Sequence, residues 1–191
     1  MRQGGSGLRS ETRIIGASLT ALLLAAALLI AAGGLPASAQ DFDTCAKASG
    51  ERAISACTRA INAGEHTGKD LASLYYNRGW EYDEKGDYRR AISDYDRAIE
   101  LVQRPNYYTN RGLAYASLDE LDRAIEDYDE AIRIDSKHAT AWNNRGVAYE
   151  KKGELQRALR NLNEAIRLDP KYEKAIENRR RVNETIRKQG S

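Results

Sequence analysis

The chain has 191 residues, with 30 Lys and Arg against 28 Asp and Glu, two histidines and two cysteines. It is 41% hydrophobic with three prolines, a composition that can bury a core and is unlike a disordered tail. A net charge of +2 lacks the strong basic excess by which a nucleic-acid binder neutralises phosphates.

Residues 1–39 read as an export signal. Arg2, Arg9 and Arg13 make a positive leader, and "IIGASLTALLLAAALLIAA" (14–32) follows without a charge. "GGLPASA" (33–39) then breaks the run and ends in Ala37-Ser38-Ala39, the small-x-small pattern of a cleavage site before Gln40. The same 19-residue run also nearly reaches the roughly 20 residues that span a bilayer, so an uncleaved anchor is the alternative. Cleavage would remove three basic residues and one acidic one, leaving 27 of each.

Cys45 and Cys57 fall in the exported part, where disulfides persist. A bridge between them would close a short loop worth roughly 3 kcal/mol; two separate buried thiols is the other reading. Neither a CxxC pair nor a Cys/His cluster is present, so the pattern offers no zinc site.

From residue 72 the chain repeats. "NRG" occurs at 77–79, 110–112 and 144–146, and three units align on it: 72–104, 105–138 and 139–172. Tyr75, Tyr108 and Trp142 precede the glycine by four residues, and Tyr82, Tyr115 and Tyr149 follow it by three. Further on come Ala91, Ala124 and Ala158, then Tyr95, Tyr128 and Leu162, then Ala98, Ala131 and Ala165. Both halves of each unit therefore carry one apolar helical face. The polar stretches "EKGD", "SLDE" and "KKGE" between the halves read as turns. Glycine inside a helix costs about 1 kcal/mol relative to alanine. Its recurrence predicts a close approach of the two helices, Gly79, Gly112 and Gly146 against Ala91, Ala124 and Ala158.

These residues resemble the tetratricopeptide repeat family over 72–172. The resemblance implies an all-α, right-handed α-solenoid of helix–turn–helix units. The ends fit the same scheme. "ERAISACTRAINAG" (51–64) matches a second helix, making 40–70 an N-terminal capping half-repeat with Cys57 at a core place. Residues 173–191 form a C-terminal capping helix with Ile176, Val182 and Ile186 along one face. There Arg180 replaces the glycine, as expected where no second helix follows.

The resemblance also implies that first helices line a concave groove holding a peptide or a partner's helix. Asn77, Asn110, Asn144 and, in the cap, Asn178 would face it as a ladder of amides able to pair with a peptide backbone. Support of neighbouring helices is the competing role. Tyr76 and Trp80 would be aromatic anchors, among further groove places that include Asp83, Leu113, Ala116, Asn143, Val147 and Glu150. Arg78, Arg111, Arg145 and Arg179 are expected to pair with carboxylates of the adjacent unit. Repeats that clamp a chaperone's C-terminal carboxylate carry cations where this chain has Tyr76, Trp80, Thr140 and Asn144, so that subtype is not expected.

Residues 171–191 carry seven basic and three acidic side chains, which reads as a solvated helix face. His66 and His138 lie in turns without a catalytic motif, and no phosphate loop or dinucleotide fingerprint occurs. The expectation is a non-enzymatic binding scaffold with no cofactor. Its partner would be a protein or peptide, not nucleic acid, in the periplasm, with membrane contact only if 14–32 is retained.

Overall fold

The computed structural model describes residues 37–189, so the leader and the apolar run lie outside the described residues. Among the described residues every element is helical: α1 (Ala37–Lys47), α2 (Gly50–Ala63), α3 (Gly68–Glu84), α4 (Tyr88–Leu101), α5 (Pro105–Ser117), α6 (Leu121–Ile134), α7 (Ala139–Lys151), α8 (Leu155–Leu168) and α9 (Glu173–Gln189). None of these helices is long and apolar enough to cross a membrane.

Local chemistry sets the boundaries. Pro105 opens α5, where a missing N–H costs nothing. Asp87 caps α4 by accepting from the Arg90 backbone N–H at 3.2 Å. The three intra-unit turns share one left-handed residue, at Gly86 (φ 76°), Asp119 (φ 63°) and Gly153 (φ 76°).

Each pair of helices packs as an antiparallel hairpin, and each second helix packs on the next first helix. First helices of successive units also touch one another: α1 with α3, α3 with α5, α5 with α7, α7 with α9. Second helices of successive units do not. The first helices therefore lie closer together and make the inner wall of a curved stack, and the second helices its outer wall.

The glycines sit where the hairpins are tightest. A Cβ on Gly79 would lie 2.9 Å from Tyr95 Cε1 and 3.2 Å from the Ala91 carbonyl oxygen. On Gly112 it would meet Tyr128 Cε1 at 2.7 Å and the Ala124 oxygen at 3.1 Å. On Gly146 it would meet Leu162 Cγ at 2.9 Å and the Ala158 oxygen at 3.3 Å. The small alanines bring the second helix close, and the bulky residue four places on fills the space each glycine leaves.

Two differences from the sequence reading stand at the ends. The N-terminal cap contains an extra helix, α1, which carries no repeat signature. It docks through Phe42 and Cys45, three residues apart on one face, against a cluster holding Ala56, Cys57, Ala60 and Leu74. In the C-terminal cap Val182 is buried with Ile186 packed against the same cluster, as expected, but Ala175 takes the other buried place and Ile176 is 39% exposed. Ile176 occupies the place of Tyr108 and Trp142, and among the described residues no further helix covers it.

The sulfurs of Cys45 and Cys57 stand at bonding distance, 2.09 Å, joining α1 to α2. Replacing both by alanine is expected to loosen this end by about 3 kcal/mol. Hydrogen exchange should then accelerate first in α1 and α2 and leave α7 and α8 slow. Equal acceleration everywhere would contradict a local staple.

Candidate functional site on the inner wall

The arginine of each "NRG" turns away from the inner wall into the seam between units. Arg78 forks onto the buried Asp94 carboxylate with two bonds of 2.8 Å and reaches back to Thr58 at 3.0 Å. Arg111 forks onto Asp127 at 2.9 and 2.6 Å and reaches Asp96 of the preceding unit at 2.5 Å. Arg145 donates to Asn161 at 2.7 Å and pairs with Asp129 of the preceding unit. In the cap, Arg179 donates to Asn163 at 3.3 Å.

The cross-unit pairs expected from the sequence are thus present at Arg111 and Arg145. The more deeply buried partner, however, lies within the arginine's own unit, sixteen residues on. Asp94, Asp127 and Asn161 are nearly inaccessible, so these forks replace water for a buried polar group. Burial pushes the Asp127 carboxyl up, against the pull of the Arg111 hydrogen bonds.

The asparagines stay on the inner wall but are partly engaged with one another. Asn110 donates to the Tyr76 hydroxyl at 2.9 Å, linking α5 to α3. Asn178 donates to Asn143 at 2.9 Å, and Asn143 in turn donates to Asn144 at 3.0 Å. Asn178 also accepts from Arg181 at 2.9 Å. Each such amide keeps further donors or acceptors for a ligand.

Tyr76, Asn77 and Trp80 come together at one hollow of about 340 Å³, shared with Cys45, Ala46, Ala48 and Glu81. Trp80 is 44% exposed at its rim. A second, smaller hollow of about 100 Å³ lies between the second and third units, where Leu113, Ala116, Tyr128 and Val147 meet Asn144 and Lys151. Leu113 is 43% exposed. Trp80, Leu113 and Val147 all follow a glycine directly, so the register places one apolar side chain per unit along the wall.

Beyond Val147 the wall closes: at the place equivalent to Trp80 and Leu113 the cap has Arg181, which forks onto Glu150 at 2.8 and 2.6 Å. The sequence reading missed Tyr128 and Lys151 as lining residues. Tyr128 has a core spacing and reaches the hollow because Gly112 leaves its ring room. Lys151 sits at the end of α7 and bonds the Ala116 carbonyl at 3.2 Å.

Two of the chain's segments match the tetratricopeptide repeat model, at 72–103 and 139–172. A second model of the same repeat matches 112–153. The chain is a tetratricopeptide-repeat protein. No curated protein matches it. Among solved structures it is similar to MamA, at 21% identity with TM-score 0.66 over 78% of this chain and 81% of that one. YrrB, described as a TPR protein with an unusual peptide-binding site, is 25% identical with TM-score 0.61, over 68% of this chain and 66% of that one. The second TPR domain of human RPAP3, in complex with the HSP70 peptide SGPTIEEVD, is also 25% identical, with TM-score 0.57, over 61% of this chain and 98% of that one. The tetratricopeptide fold places the inner wall of α3, α5, α7 and α9 as the concave groove.

One groove carboxylate is out of balance. Burial, with Glu84 adjacent, pushes Asp83 up to about 6 from an ordinary 3.8. The folded state then holds this proton up to about pH 6, whereas the unfolded chain releases it near pH 4. Its stabilising contribution is present below that lower value and is lost as pH rises through about 6. Discounted for the solvent that still reaches this half-buried carboxyl, Asp83→Asn is expected to stabilise the protein at pH 7.5 by about 1 kcal/mol, with the gain vanishing near pH 4. Urea unfolding at the two pH values checks this; a gain independent of pH would contradict it.

Proposed function

We propose that this chain is an exported, non-enzymatic adaptor that holds a segment of a partner protein in its concave groove. The observation that carries the proposal is the groove itself, a wall with one apolar side chain per unit, two hollows and a row of partly engaged amides. The peptide-binding descriptions of YrrB and of the human RPAP3 domain support a peptide as the kind of partner.

The mechanism is backbone capture by Asn77, Asn110, Asn144 and Asn178, with Tyr76 and Trp80 as aromatic anchors. Asn110 would present its carbonyl while its amide holds Tyr76. Residues 1–39 would direct export to a periplasm, where Cys45 and Cys57 would be held as a disulfide. A second reading rests on the uncharged run 14–32: retained as an anchor, it would make the chain an assembly factor for an envelope complex.

Mass spectrometry of the native N-terminus separates the two, since a chain starting at Gln40 has no anchor. Crosslinked capture from the native envelope tests the groove. Wild type should retain a partner that an Asn77→Ala/Asn110→Ala/Asn144→Ala variant of matched helicity and melting temperature loses. Equal capture by both would leave the amides a structural role and contradict backbone capture.

A further inference from the structure

We propose that the partner segment carries a basic side chain, arginine or lysine, seated on Asp83 between Trp80 and Leu113, and an apolar side chain in the Leu113–Val147 hollow. This deepens the groove reading and rests on it.

The repeat shows what Asp83 lacks. In two of the three units the residue four places after the glycine meets, one unit further on, the residue at the equivalent of one place after the next glycine, and the register gives the first unit the same pairing. In the third unit this pair is Glu150 and Arg181, a closed fork with bonds of 2.8 and 2.6 Å. In the second unit it is Ala116 and Val147, both apolar and both lining the 100 Å³ hollow. In the first unit it is Asp83 and Leu113. A carboxylate thus stands where the register supplies leucine in place of arginine.

Nothing else in the described chain fills that role. Among the described residues no ion pair or hydrogen bond reaches the Asp83 side chain, and the charges and titratable groups acting near it are Glu84, Tyr95 and Tyr128. Nearby cations are committed elsewhere: Lys85 to Glu51, Arg90 to Asp87, Arg111 to Asp96 and Asp127, Lys151 to the Ala116 carbonyl. The Tyr95 hydroxyl, which feels the Asp83 charge, belongs to a fully buried residue, and the donor nearest to it is the Asn110 amide, which makes its well-formed bond to Tyr76 instead.

A guanidinium placed here would neutralise the carboxylate and could offer a further N–H to that hydroxyl. Its alkyl stem would lie against the exposed Trp80, one turn before Asp83 on α3, and Leu113. An acidic segment would meet the like charges of Asp83 and Glu84. Neighbouring helices stand about 10 Å apart, and an extended chain advances about 3.3 Å per residue. The basic and apolar residues of the partner should therefore be about three positions apart.

The test is selection of random twelve-residue peptides, displayed on phage, against the protein purified as the cell leaves it. Selected peptides should share a basic residue with an apolar one about three positions away, and crosslink to a photoreactive residue at Leu113. Asp83→Asn, or citrulline in place of the peptide's arginine, should weaken binding at least tenfold. Leu113→Arg should also abolish it, by supplying from within the cation that Arg181 gives Glu150.

If peptides crosslink at Leu113 but show no basic preference, or bind Asp83→Asn unchanged, this inference fails and the groove reading stands. If no peptide binds, or all crosslink elsewhere, both fail. Asp83→Asn removes an unpaired charge, so its melting temperature should not fall; a fall would mean that the carboxylate has a partner and overturn the premise.

Discussion

Gly112→Val is expected to destabilise the protein by about 3 kcal/mol or more. The Cβ alone would meet the Tyr128 ring at 2.7 Å and the Ala124 carbonyl at 3.1 Å. Neither neighbour can give way cheaply: Tyr128 is 1% exposed, and the carbonyl belongs to a backbone fixed in α6. The gain in helix propensity over glycine, under 1 kcal/mol for valine, is too small to offset overpacking. Arg180→Gly is the matched control. Arg180 occupies the same register in α9, is exposed and has no second helix over it, so the change should cost only about 1 kcal/mol of propensity. Thermal unfolding of the two variants checks the contrast. Similar losses would mean that close helix approach is not the reason for the glycine.

Arg111→Met should also cost about 3 kcal/mol, for an electrostatic reason. Removing the guanidinium leaves Asp127, 4% exposed, without the two bonds that replace its water. Asp127→Asn should be milder, under about 1.5 kcal/mol, because the third unit already uses that combination in Arg145 and Asn161. Urea midpoints of the two variants at pH 7 decide this. Equal losses would show that the pair acts through packing alone and not through charge compensation.

These two sites differ in how far the sequence revealed them. The glycine contact was legible because three units repeat the same pair, and no residue other than glycine serves so near a neighbouring carbonyl. The arginine seam was legible only in part. Its cross-unit half follows from the repeat, but the partner sixteen residues on lies on a second-helix place that also suits a solvated acid. Asp119 gives a smaller case: the turn was readable from "SLDE", yet the left-handed residue is an aspartate where the other units have glycine.

The groove was legible as a set of places, less so as a surface. Tyr76, Asn77 and Trp80 share a hollow because they lie within one turn of α3. That α1 contributes to this hollow had no signal in the repeat, since Cys45 and Ala46 belong to a helix without its pattern and Ala48 follows directly after it. The links from Asn110 to Tyr76 and from Asn178 to Asn143 depend on how closely successive first helices approach, which no single unit encodes. The Ile176 face of the cap was misread for a related reason: its register matches the core places, but coverage by a further unit decides burial.

The most direct test of the central claim is photocrosslinking in the native envelope with one reactive residue at Leu113 and, separately, at Glu126 on the outer wall. The groove account expects a discrete adduct of the same partner from Leu113, absent from Glu126 and lost when Asn77, Asn110 and Asn144 are replaced by alanine. Adducts from Glu126 alone would place the partner on the outer wall and contradict it.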